Sequence, residues 1–223
     1  MTGQEGMNMK KNILLIGAGG FGTRIAKKLS EMDQQVMVVD EDEERISECM
    51  HFATNAVIGD ASKPEFLKAI GVGDFDLCIV AIGDDFQSSM EVTAKLKDCG
   101  AKFVVSRAVT DVQEELLLRI GADRVVFPEK FVAEWTAFRY GTEHVFDYFA
   151  IDRKTALIEI EMPPKWVGKT LRELDVRRRL NINVVGIREN GTIRLQLDPD
   201  EKLSGGRTIL VIGNTADVDR CYH

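Results

Sequence analysis

The apolar run Ile13-Leu14-Leu15-Ile16 leads directly into Gly17-Ala18-Gly19-Gly20-Phe21-Gly22, and the helical spacing of Phe21, Ile25, Ala26 and Leu29 begins inside that glycine run. A strand buried on both faces reads as such a continuous apolar run. G-x-G-x-x-G between that strand and a helix is the turn of a dinucleotide-binding βαβ unit. Gly17 permits the tight turn, Gly19 lets the backbone approach a pyrophosphate, and Gly22 lets the helix pack closely on the strand. Amides at the helix start would hold the phosphates. Asp40 closes the next apolar run, Val36–Val39, where its carboxylate can accept hydrogen bonds from both ribose hydroxyls. An acid there also repels a 2′-phosphate, which disfavours NADP.

The same alternation continues. Helices are expected over 42–50, 64–70, 86–98 and 111–120, and strands over 56–58, 77–82, 102–106 and 125–127. Six strands with intervening helices predict an α/β fold with a Rossmann-like, doubly wound parallel sheet. After Pro128, the groups Phe131, Val132, Trp135 and Phe138 lie at helical spacing on a segment that either packs on its own sheet or holds partners together. Period is lost around 141–150. The pattern beyond is that of a small α+β module: strands over 156–160, 183–187, 193–197 and 208–212, a helical stretch over 170–180, and a hairpin turn at Asn190-Gly191. The expected organisation is therefore a nucleotide-binding domain over 12–140, a linker over 141–150 and a second domain over 151–223.

Composition narrows the function. With 223 residues, 44% of them apolar, the chain can bury a sizeable core. The net charge of -7 makes nucleic acid a poor default partner. Charges recur throughout, so no apolar stretch approaches the roughly 20 residues that cross a bilayer. The segment Met1–Lys11 is polar and lacks the apolar core of a signal peptide, so a cytoplasmic protein is expected. Cys49, Cys78, Cys99 and Cys221 have no CxxC spacing and read as reduced, mostly buried thiols.

Ligands on open α/β sheets lie across the carboxyl ends of the strands, which draws in further candidates. Asp60 and Ala61 end the third strand, and Asp60 either meets an adenine amino group or serves as a helix cap. Ala81, Ile82 and Gly83 end the fourth and leave room for base or ribose, and Arg107 ends the fifth within reach of phosphate. Gly20, Phe21, Glu41 and Ala108 adjoin these residues and complete the candidate site. The three histidines, His51, His144 and His223, stand beside no plausible nucleophile, so no catalytic residue is assigned. An NAD-dependent oxidoreductase and a nucleotide-sensing scaffold with soluble partners are the competing readings.

The chain resembles the RCK-domain potassium-uptake regulators of the KtrA/TrkA family. The resemblance rests on the glycine turn, on Val38-Val39-Asp40, Gly59-Asp60-Ala61 and Val80-Ala81-Ile82-Gly83, and on the more specific run from Ile120 to Lys130. The second module adds Val167 to Leu174, Val184-Val185-Gly186-Ile187 and Ile209 to Gly213. It implies a non-catalytic cytosolic gating subunit at the inner face of the membrane, built from dimers into an octameric ring under a separate KtrB/TrkH-like potassium channel subunit. ATP and ADP, with NAD and NADH as the alternative, would occupy the glycine site. Asp40 would then bind ribose, Asp60 and Ala61 the adenine, Ala81 to Gly83 the base and sugar side, and Arg107 the phosphates. Glu129, on its own residues an acid in a first helical turn, would take part in a Mg²⁺, Ca²⁺ or Na⁺ site at the dimer interface.

One departure is Gly20, where the family commonly has an arginine that reaches a neighbour's terminal phosphate; Arg24 follows one turn later. Several relatives bind cyclic di-AMP in the second module, and Arg177, Val184 and Pro199 fall in the corresponding stretches. Arg177-Arg178-Arg179 reads equally as a solvated helix face. Leu197 and Arg207 depart from common family residues.

Overall fold

Alternate residues of the first strand face opposite layers, and all are buried. Ile13 and Leu15 pack with Ala26, Val36, Val38 and Ile46, whereas Leu14 and Ile16 pack with Leu67, Val80, Val92, Leu96 and Val104. Each such side chain contributes roughly 2 kcal/mol of burial. A strand covered on both sides needs helices on both sides, and the chain supplies them. The computed structural model describes residues 10–152 and 154–222. Most of the polar amino-terminal segment, residues 1–9, lies outside the described residues, as does His223.

In the first unit, which ends at Lys130, the elements run β1 (Asn12–Ile16), α1 (Gly20–Glu31), β2 (Gln35–Asp40), α2 (Glu43–Cys49), β3 (Asn55–Ile58), α3 (Pro64–Ala69), β4 (Leu77–Val80), α4 (Phe86–Asp98), β5 (Val104–Arg107), α5 (Asp111–Arg119) and β6 (Arg124–Val126). The strands are parallel in the order β3-β2-β1-β4-β5-β6. The order reverses between β1 and β4, which places a crevice at the carboxyl ends of those two strands. The predicted strands and helices of this unit all form, with ends shifted by a few residues.

Helix α6 (Pro128–Gly141) begins at Pro128, a residue suited to a helix start. No side chain along it is buried, and Phe131 and Val132 are exposed. The second unit starts at Phe131 and continues with β7 (Val145–Ala150), β8 (Ala156–Glu161), α7 (Leu171–Leu174), α8 (Val176–Arg179), β9 (Asn183–Glu189), β10 (Thr192–Arg194), β11 (Thr208–Gly213) and α9 (Thr215–Asp219). Its sheet is antiparallel, in the order β10-β9-β11-β8-β7. Ile158, Ile160, Ile209 and Val211 pack on one face against Trp166, Leu174, Val176, Ile182 and Val218.

Four details differ from the sequence reading. The expected linker at 141–150 contains β7, whose pairing with β8 shifts register between Val145 and Asp147 and so blurs the two-residue alternation. The division between units falls at Lys130, ahead of the expected position. Asp175, at φ 42°, breaks the expected 170–180 helix into α7 and α8. The strand expected over 193–197 stops at Arg194, whose guanidinium pairs with Glu201. The hairpin at Asn190 (φ 49°) and Gly191 (φ 80°) forms as its two residues predict.

Candidate functional site

The turn after β1 is fixed by backbone sterics. Gly17 sits at φ 97°, and its N–H donates to the Val39 carbonyl at 2.8 Å. A Cβ on Gly22 would lie 1.9 Å from the Gly17 carbonyl oxygen, so only glycine lets α1 approach the turn this closely. Gly19 is the N-cap of α1, and a Cβ there would meet nothing within 4 Å, so the turn is open on its outer side. Helices α2, α4 and α5 are capped by the side chains of Asp42, Asp85 and Thr110. Helix α1 has no side-chain cap and no acid in its first turn. Its leading N–H groups and the positive end of its dipole therefore suit an anion.

Asp40 ends β2 beside this turn. Its Oδ2 accepts from the Ala18 N–H at 2.6 Å and its Oδ1 from the Asp42 N–H at 3.0 Å. Each oxygen keeps a further lone pair, so the carboxylate is oriented by backbone and still able to accept from a diol. Next to it, burial and the neighbouring Asp60 and Asp40 push the Glu41 carboxyl above its ordinary value.

These groups line a cleft of about 990 Å³ at the carboxyl ends of the strands, toward the upper end of the range for ligand sites. It brings together Gly17, Gly19, Gly20, Phe21, Asp40, Glu41, Ala61, Ala81, Ile82, Gly83, Arg107 and Glu129. Three expected nucleotide residues are not on its lining. Gly22 is buried behind the turn and acts through packing. Ala108 is fully buried, with its N–H on the Val126 carbonyl at 2.9 Å. Asp60 is turned into the loop before α3, accepting from the Ser62 N–H at 2.8 Å and pairing with Lys63 at 3.1 Å. Ser62 is the main cause of a pKa lowered to about 2, with Lys63 adding to it against the effect of burial.

The cleft also includes residues the sequence reading passed over: Asp84, Asp85, Ser88 and Glu91, at the start of α4, and Asp42 and Arg45. The strand-order reversal beside β4 is the signal that points to the first of these groups. Of the three arginines on the lining, Arg45 pairs with Asp42 at 3.5 Å and Arg107 with Glu129. Arg24 folds back so that Nη1 lies 3.4 Å from the Gly20 carbonyl. The guanidinium of Arg107 stands 5.1 Å from the Phe21 ring centroid. Partial burial works to raise the Glu129 pKa, but Arg107 outweighs it and holds the carboxyl below its ordinary value. Among the described residues no three His, Cys, Asp or Glu side chains form a cluster fit for a metal ion, so a cation at Glu129 would need oxygens beyond this one carboxylate.

In the second unit Arg177 is exposed on α8, Val184 packs against the core from β9, and Pro199 is exposed beyond β10. A cavity in that unit, beside Phe138, Tyr148 and Asn214, includes none of the three. The thiols behave as expected: Cys49, Cys78 and Cys221 are buried and free, and burial pushes Cys78 up to about 12. No helix among the described residues is long and apolar enough to cross a membrane.

Comparison with known proteins fits this division. Residues 13–128 match the TrkA-N domain and residues 156–222 the TrkA-C domain. The chain is 36% identical over 212 residues to the Ktr system potassium uptake protein C of Bacillus subtilis, covering 95% of this chain and 96% of that protein. It is 30% identical over 210 residues to the Ktr system potassium uptake protein A of the same organism, covering 94% and 95%. Among solved structures, the GsuK channel bound to NAD has the same fold, with a TM-score of 0.67 at 16% identity, covering 95% of this chain and 38% of the channel's. With a TrkA-N domain, a TrkA-C domain and Ktr proteins as full-length relatives, the chain belongs to the RCK-domain regulators of the KtrA/TrkA type.

Proposed function

We propose that this protein is the nucleotide-responsive regulatory subunit of a potassium uptake system, acting on a separate KtrB/TrkH-like membrane subunit without catalytic turnover. The observation that carries the reading is the cleft itself: an uncapped α1 for phosphates beside an Asp40 carboxylate oriented for a ribose. Its full-length relatives are named as potassium uptake proteins, and the chain has no described helix fit to form a pore. The ligand is an adenine nucleotide, ATP or ADP. NAD or NADH is the alternative, raised by the NAD-bound GsuK channel that shares this fold. The acidic lining leaves phosphate binding to the α1 amides, Arg107 and Arg24.

Assembly supplies the rest of the mechanism. Phe138 and Trp135 of helix α6 are engaged within the chain by Tyr148 and Asp147, whereas Phe131 and Val132 are exposed and available to a second copy. Dimers paired in this way would build the octameric ring, at the inner face of the membrane. A nucleotide shifts such a ring only by binding one shape more tightly than another. Glu129 would contribute to a Mg²⁺, Ca²⁺ or Na⁺ site where two copies meet. Arg177, Val184 and Pro199 would face a second copy's matching residues around cyclic di-AMP, and calorimetry without heat at high protein concentration would remove that ligand.

The test is reconstitution of the protein with a Ktr membrane subunit in proteoliposomes. Potassium flux that differs between ATP and ADP is expected. Flux equal with and without the protein, under either nucleotide, would contradict the proposal.

A further inference from the structure

Arg107 is held in a pose that uses only part of its donor set. Its guanidinium lies against the backbone of Gly83, where a Cβ would come within 2.4 Å of Nη1, and over Phe21 in the first turn of α1. Nη2 donates to Glu129 Oε1, while Nε is buried with no partner. A guanidinium presents its donors in a rigid fork that fits a carboxylate or a phosphate equally well. The fork holds one such group, Glu129, the second residue of α6, and lies over Phe21 in the first turn of α1, the helix whose uncapped start suits a phosphate.

We infer that Glu129 is an internal competitor for Arg107, so that nucleotide phosphate binds by drawing the guanidinium off this carboxylate. The inference rests on the nucleotide reading of the cleft. It adds a regulatory connection within one chain. Arg107 ends β5 at the site, and Glu129 belongs to the helix that runs on to Gly141. Filling the cleft therefore removes one of the ion pairs that hold the first turn of α6, leaving that of Lys130 with Asp111, and whatever holds Glu129 away from Arg107 favours filling by the same factor.

The experiment is calorimetric titration of the full chain with ADP in EDTA, for wild type, Glu129→Gln, Arg107→Ala and the double variant, with thermal melts confirming that each is folded. Removal of the competitor is expected to tighten binding about fivefold in Glu129→Gln, as fits a partly exposed ion pair. Arg107→Ala weakens binding, and in that background Glu129→Gln gives no further gain. Binding in Glu129→Gln equal to or weaker than wild type would overturn the competition. So would a gain that persists without Arg107, since direct repulsion between carboxylate and phosphate would then explain it. If Glu129→Gln fails to fold, Glu129→Asp, whose shorter side chain withdraws from Arg107 but keeps its charge, replaces it: a gain of about twofold that vanishes without Arg107 supports competition, and no gain overturns it. Wild type that binds no ADP, ATP or NAD would remove the nucleotide reading and the competition with it, an outcome separate from wild type that binds and a variant that does not gain.

Discussion

Both units pair charges, but they differ in where their sheets leave polar groups open. In the first, the parallel order brings turns and strand ends to one edge, where an uncapped helix start and Asp40 face open space. In the second, charges are matched within the sheet and its loops: Glu159 with Arg188, Glu201 with Arg194, Glu189 with Arg207 and Asp200 with Arg172. The first unit thus presents a site within one chain. The second pairs these acids and arginines within its own sheet and loops.

The largest effect that would break this comparison is expected at the glycine turn. Gly22→Val places a branched side chain where a single Cβ already lies 1.9 Å from the Gly17 carbonyl oxygen. Loss of about 3 kcal/mol or more is expected, together with nucleotide binding, as overpacking of a closed contact requires. Thermal unfolding and titration check it; a stable variant with wild-type affinity would show that the turn does not hold the site.

Next comes the second unit's matched charge. Only 8% of the Glu159 side chain is exposed, and Arg188 grips it through Nε at 2.6 Å and Nη2 at 2.7 Å. Glu159→Ala leaves that guanidinium without its carboxylate, and a loss of about 2 kcal/mol is expected in chemical denaturation. The same pair carries a pH dependence. Arg188 is the main cause that holds the Glu159 pKa below its ordinary value of 4.5, with Thr208 adding to it against burial. The stabilisation is therefore present above the unfolded value and is lost as pH falls through the lowered folded one. Melting curves between about pH 5 and 3 are expected to decline less steeply in Glu159→Gln than in wild type.

The smallest effect is expected at Arg24, whose Nη1 reaches the Gly20 carbonyl at 3.4 Å on an exposed face. Arg24→Ala should leave stability within about 0.5 kcal/mol while weakening ATP more than NAD, since its role would be with a terminal phosphate. Equal weakening of both would make it a general phosphate contact.

How far the sequence reached follows the same contrast. The glycine turn and Asp40 were legible because backbone sterics and strand ends permit few residues there, whereas the strand order β3-β2-β1-β4-β5-β6 comes from the structure. The Arg107–Glu129 pair was not, because it joins the ends of β5 and β6 only once the sheet has formed. Asp60 was legible as a polar strand end, but its engagement by Ser62 and Lys63 depends on loop conformation. Strand β7 was hidden by a register shift, and the break at Asp175 by a left-handed residue within an otherwise helical stretch.

The most direct test of the cleft is calorimetric titration of the purified protein with ATP, ADP, NAD and NADH, beside Asp40→Ala. An adenosine phosphate is expected to bind below millimolar, and Asp40→Ala to weaken it about thirtyfold through loss of charged hydrogen bonds to the ribose. No binding below millimolar by any of the four would contradict the nucleotide role of the cleft, and NADH at least tenfold tighter than both adenosine phosphates would contradict ATP or ADP as its ligand.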